Sequence, residues 1–209
     1  MKISLYNFLK ANFEKNRLEN QLFYNFEFGL RFNLQSNRVF ESNKYFNECI
    51  KRSLLIFEEI FEPNNNILIV FNVFQKKRNK IRKSNFILKQ IGDFDLKNVK
   101  FKKYSIDIDS EKKIFNQVVI QSQTNQINYP NLIEGLINKD FPTRAPRITE
   151  ELFFINLEKK IIFKIYDDRG LDVVSQSLES LEPIFKKFNE FILEYDRDKI
   201  ENLFREINN

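Results

Sequence analysis

The chain has 209 residues, 42% of them hydrophobic and 30% charged, which is enough for one well-buried core of ordinary globular composition. Its formal net charge of +5 is uneven: "KKRNKIRK" (76–83) holds six basic residues and no acid, so the remainder carries −1. There is no histidine and one cysteine, Cys49, which excludes Ser-His-Asp and Cys-His machinery and any internal disulfide, and argues against zinc.

Leu5, Phe8, Leu9 and Phe13 follow helical spacing and predict an N-terminal helix. "YNFEFGLRFNL" (24–34) alternates apolar and polar residues from Tyr24 to Leu34, the pattern of a strand with one buried face. Asn43 is expected to cap a helix whose stripe is Phe46, Ile50, Leu54, Phe57 and Phe61, ended by Pro63. A buried strand over 67–74 runs into the basic segment. Residues 86–91 fit a strand or a short helix equally. Strands are expected at 104–109 and 114–122, a helix near 130–139, and a hairpin from 151–157 and 161–166, followed by 171–174.

Leu181, Ile184, Phe185, Phe188, Ile192 and Tyr195 form one apolar stripe, with Pro183 in its first turn. Asp196 then caps a last helix carrying Ile200, Leu203, Phe204 and Ile207. These elements predict a single α+β domain over 1–209: a mixed, largely antiparallel sheet with packing helices and a two-helix C-terminal segment. Neither a secretory leader nor a membrane span is expected, because polar residues interrupt every apolar run, so the default location is the cytoplasm.

Four isolated glycines leave no phosphate loop and no dinucleotide fingerprint. Catalysis would therefore rest on carboxylates, Lys, Tyr or a hard metal. The 24 phenylalanines accompany frequent Asn, Lys and Ile, all from A/T-rich codons, so their number is not read as a binding surface. Cys49 reads as a small core-edge residue. "DIDSE" (107–111) lacks the glycine and spacing of a calcium loop and reads as a hairpin end.

Three stretches carry candidate function. "DDRG" (167–170) has the Asp and Gly of a type I turn, and Gly170 at positive φ would close a three-residue hairpin loop with a bulge. A turn explains Asp167 and Gly170. Asp168, Arg169 and Asp172 would then stand in solvent, as a surface ion pair or as contacts for a protein partner. In "KDFPTRAPR" (139–147), two prolines stiffen a loop that displays Arg144 and Arg147 for recognition, or that merely crosses the surface. Lys76, Lys77, Arg78, Lys80, Arg82 and Lys83 could hold nucleic-acid phosphates, or form a solvated loop.

The stretch "KDFP…R…ELFFIN…IIFKIYDDRGLDVVS…LEPIFKKFNEFILEYDR" resembles a bacterial family known as domain of unknown function 3885. The resemblance covers about 139–200, more loosely "NECIKRSLLIFEEIFEPNNNILIVF" (47–71), and none of the first twenty residues. It implies no reaction, cofactor or catalytic residue. Members look like small stand-alone proteins, similar in style to the immunity proteins that accompany toxins. The leading expectation is a non-enzymatic, cytoplasmic protein-interaction module of immunity type that occludes a toxin or other partner, without cofactor or metal. The alternatives are nucleic-acid binding through 76–83 and a metal-dependent hydrolase using Asp167, Asp168 and Asp172.

Overall fold

A computed structural model describes residues 3–36, 39–74, 85–92, 99–108 and 111–205. The basic segment 76–83 lies outside them. The elements in chain order are α1 (Leu5–Phe13), α2 (Leu22–Asn25), β1 (Phe28–Asn33), α3 (Asn43–Ile60), β2 (Asn66–Phe74), α4 (Phe86–Lys89), β3 (Val99–Ile108) and β4 (Glu111–Gln123). Then come α5 (Tyr129–Ile137), β5 (Glu151–Asn156), β6 (Ile161–Asp167), β7 (Gly170–Ser175), α6 (Glu182–Lys187) and α7 (Arg197–Arg205). The strands form one sheet in the order β1-β7-β6-β5-β2-β4-β3. Every described ladder is antiparallel, so the α+β class holds.

Both faces of the sheet are covered, which explains why β5, β6 and β7 are buried almost without alternation. One face carries Leu30, Phe32, Ile69, Phe71, Phe154, Phe163 and Val173 against α3 and α5. Phe57 of α3 stacks on Tyr129 at 4.6 Å and meets Phe154 and Phe163 edge-on. The opposite face carries Leu68, Val70, Phe153, Ile155, Ile162 and Val174 under α1 and α2. Each fully buried phenylalanine contributes about 2 kcal/mol of apolar transfer energy. No helix among the described residues is long and apolar enough to cross a membrane.

Four local expectations change. The strand expected from Tyr24 begins at Phe28, and residues 22–25 form a helical turn instead. Tertiary contacts override the alternation there: the Phe23 backbone N–H donates to Asp172, and Tyr24 donates to Asp196. Helix α3 is capped by Ser42 rather than Asn43, its Oγ accepting the Tyr45 N–H at 3.1 Å. Its buried stripe runs through Tyr45, Phe46, Cys49, Ser53, Ile56, Phe57 and Ile60. Ser53 fits because its hydroxyl donates to the Cys49 carbonyl at 2.8 Å. Cys49 is fully buried, which pushes its thiol up to about 12.

The undecided stretch 86–91 holds the short helix α4, capped by the Asn85 side chain. The C-terminal stripe is not one helix. Helix α6 stops at Lys187, and Ile192 is drawn into a bridge with Phe32 while the Leu193 N–H donates to the Arg31 carbonyl at 2.9 Å. Residues 192–193 thereby cover the free edge of β1, and Tyr195 is left exposed.

Candidate functional site

The β6–β7 hairpin is tighter than expected. Asp167 pairs with Gly170, so the loop is the two residues Asp168 and Arg169, and the register shift falls at Tyr166. No described glycine has positive φ. Gly170 is required for space instead: a Cβ there would overlap the Tyr166 hydroxyl and the Phe32 carbonyl. Asp167 accepts the Arg169 N–H at 2.8 Å and Nε at 2.9 Å, and its Oδ2 also pairs with Nη2. Beyond this pair, the Arg169 carbonyl accepts the Leu34 N–H at 3.0 Å, tying the tip to the chain leaving β1.

The neighbouring carboxylates face inward. Asp168 is only 4% exposed and accepts a hydrogen bond from the Tyr45 hydroxyl. Burial raises its carboxyl above the usual range, against the opposing pull of that bond. Asp172 is buried on the other face, opposite Arg31 on β1 and Lys164 on β6. Burial raises it as well, partly offset by the Phe23 N–H and Arg31. Arg31 lies 3.4 Å from both Asp172 and Asp196, donates to the Tyr24 hydroxyl at 2.7 Å, and packs on the Tyr24 and Tyr166 rings. One guanidinium thus joins β1, β7, α2 and the segment before α7.

The loop 139–147 converges on the hairpin tip from the α3 side. Arg144 is half-buried: its guanidinium lies 3.8 Å above the Phe46 ring, with Nε donating to Asn138 and Nη1 to Asn43. Arg147 is exposed and donates to the Lys139 carbonyl at 2.8 Å. Neither is paired with a carboxylate among the described residues. Between this loop and Asp168 stands an aromatic group: Phe40 meets Tyr45 at 5.3 Å and Phe141 at 6.2 Å, and Phe141 meets Phe46 at 4.8 Å. Phe40 is 58% exposed and Val39 80%. Arg169, with its side chain 65% exposed, stands at the hairpin tip.

The family model described as "Domain of unknown function (DUF3885)" matches residues 5–196, which takes in the hairpin, the loop and the aromatic group alike. The chain belongs to the DUF3885 family. The match is wider than the resemblance legible at 139–200 and includes α1. A relative, "Uncharacterized protein YnaE" of Bacillus subtilis (strain 168), is 29% identical over 164 residues, covering 73% of this chain and 76% of its own. No solved structure matches.

In this DUF3885 protein Tyr45, Phe46 and Phe141 link the two candidate loops, but the expected exposure is divided. Arg147 and Arg169 are displayed and Arg144 is half-buried, while Asp168 and Asp172 are withdrawn into hydrogen bonds and ion pairs. The solvent-facing Asp168 and Asp172 of the sequence reading are therefore corrected: the sheet is covered on both faces, so a residue alternating "outward" is still buried. Asp167, Asp168 and Asp172 do not converge either, since each points to a different cation or hydroxyl. Among the described residues, no group of three acidic or sulfur ligands could hold a metal.

Lys164, Glu151 and Lys139 form a further charged chain that spacing did not reveal. Lys164 Nζ is 2.6 Å from Glu151, and Lys139 Nζ is 2.8 Å from its other oxygen. Burial opposes the Glu151 charge, but the two lysines outweigh it and hold its carboxyl below the ordinary range. Phe40 was the legible omission: "VF" stands alone between polar neighbours, outside every predicted element.

Proposed function

We propose that this protein is a non-enzymatic binding module, acting in the cytoplasm, that docks a protein partner on the face formed by Val39–Phe40, the 139–147 loop and the 167–170 hairpin. The observation that carries the reading is the exposed Phe40, seated on Tyr45 and Phe141, with Arg144 over the neighbouring Phe46 ring and Arg169 exposed at the hairpin tip. Aromatic residues and arginine are the side chains most enriched at binding hot spots, and a preformed cluster loses little entropy on association. Arg144 and Arg147, free of described carboxylates, suit an acidic partner surface. Occlusion of a toxin, in the manner of immunity proteins, is one form such binding would take. The engagement of all three hairpin aspartates in internal contacts supports a scaffold role for them over a catalytic one.

The test is affinity purification of the tagged protein from its source cells with nuclease present, beside the Phe40→Asp variant. One stoichiometric protein, retained by the wild type and lost by the variant at equal melting temperature, is expected. Arg169→Ala is expected to weaken the same complex at least about fivefold while leaving folding intact. Retention of that protein by Phe40→Asp, or of nothing by the wild type, contradicts the reading.

A further inference from the structure

The other end of the sheet carries a surface that the docking face does not use. Among the described residues, strand β3 is the last of the sheet and pairs only with β4. Four consecutive residues on it, Lys100, Phe101, Lys102 and Lys103, are exposed, and Phe101 is 61% accessible. Strand geometry spreads them over about 10 Å, with Lys100 and Lys102 to one side and Phe101 and Lys103 to the other. Lys100 donates to the Ile3 carbonyl at 3.3 Å. None of the three lysines is paired with a described carboxylate.

Lysines by themselves guard a sheet edge against unwanted strand pairing. A large exposed aromatic among those lysines works against the guard, so protection does not explain Phe101. A second copy of the chain is disfavoured as occupant, because edge-to-edge pairing would set lysine against lysine. Cations interleaved with an aromatic ring are instead the arrangement that holds phosphates while a base stacks. We propose that residues 100–103 form a binding strip for single-stranded nucleic acid, with the lysines on phosphates and Phe101 against a base. In sequence, the six cations of 76–83 begin two residues after Phe74, which pairs with Phe115 in the row next to Lys103–Asn116. The strip stands without them.

The experiment uses the full chain and fluorescein-labelled oligothymidylate, with affinity measured by anisotropy across a salt series. Each phosphate contact to a single strand contributes about −0.7 to the slope of log affinity against log salt. Changing Lys100, Lys102 and Lys103 to Gln is therefore expected to flatten the slope by about 2. Phe101→Ala is expected to weaken binding at least about fivefold. The chain has no tryptophan, so Phe101→Trp places a single reporter on the strip, and its fluorescence is expected to be quenched when the oligonucleotide binds. An unchanged slope in the triple variant would assign binding to 76–83 and overturn the strip. Full affinity in Phe101→Ala, an unquenched Trp, or displacement by polyglutamate as effective per charge as by unlabelled oligothymidylate would overturn the nucleic-acid assignment. No outcome depends on the docking face, because Phe40→Asp leaves the strip intact.

Discussion

The two ends of the sheet treat charge in opposite ways. At the β1-β7-β6-β5 end, Arg31, Lys164, Asp172 and Asp196 are buried or nearly so, and each is held by an opposite charge on another element. At the β3 end, Lys100, Lys102 and Lys103 stand in solvent without a described acidic partner. The difference separates two roles that look alike in sequence. A buried charge that loses its partner is strongly destabilising, whereas an exposed lysine contributes little to the fold. The motif "YDDRGLDV" (166–173), the most chemical-looking stretch of the chain, is accordingly a fastening. Of the proposed docking residues, Phe40, Arg144 and Arg147 lie outside this motif, and Arg169 is the exposed residue at its tip.

Variants that remove the fastening should break the first end and leave the second untouched. The largest effect is expected from Arg31→Ala, which strands Asp172 and Asp196 without their shared cation. A loss of about 3 kcal/mol is expected in urea unfolding, the low end for a buried pair because Arg31 is partly exposed. Gly170→Ala is next, at about 1–3 kcal/mol of overpacking, read as a lowered melting temperature. Adding Tyr166→Phe should recover part of that loss by removing the hydroxyl that meets the new Cβ.

The hairpin carboxylates also sharpen the comparison through pH. Asp168 and Asp172 have folded pKa values raised above 3.8, chiefly by burial. The folded state therefore holds their protons more tightly than the unfolded chain. Their contribution to stability is fully present below 3.8 and is lost as pH rises through the raised values. Stability of wild type relative to Asp172→Asn should decline over that window, measured by denaturant unfolding at each pH. A flat difference would mean that Arg31 and the Phe23 N–H compensate the burial in full. The smallest effect belongs to the far edge: Lys103→Gln should change stability by no more than about 0.5 kcal/mol.

Much of the fold was legible because its signals were local. The helical spacing of Leu5, Phe8 and Leu9, the apolar runs of β2, β5 and β6, and the end of α3 before Pro63 need no distant partner to be read. The shift of the α3 cap from Asn43 to Ser42 is local, but the larger misses occurred where distant residues decide. Residues 22–25 leave the strand pattern because Asp172 and Asp196, 149 and 172 positions away, accept the hydrogen bonds of Phe23 and Tyr24. The helix after Leu181 breaks because Ile192 is needed at the edge of β1. Gly170 was correctly singled out for the wrong reason. A turn pattern suggests positive φ, whereas the collision with Tyr166 and Phe32 exists only once β1 lies alongside. Arg147 and Arg169 were legible as exposed cations; the aromatic group that half-buries Arg144 was not, because it is assembled from residues 40, 45, 46 and 141.

The central claim is that fastening and display are separate within one hairpin neighbourhood. It is tested most directly by measuring partner affinity and melting temperature side by side for Phe40→Asp and Asp168→Ala. Phe40→Asp is expected to melt with the wild type and lose the partner. Asp168→Ala is expected to melt several degrees lower, because it leaves the Tyr45 hydroxyl without its acceptor, yet to bind normally once folded. If Phe40→Asp binds as tightly as the wild type, or if Asp168→Ala abolishes binding without lowering the melting temperature, the separation is contradicted.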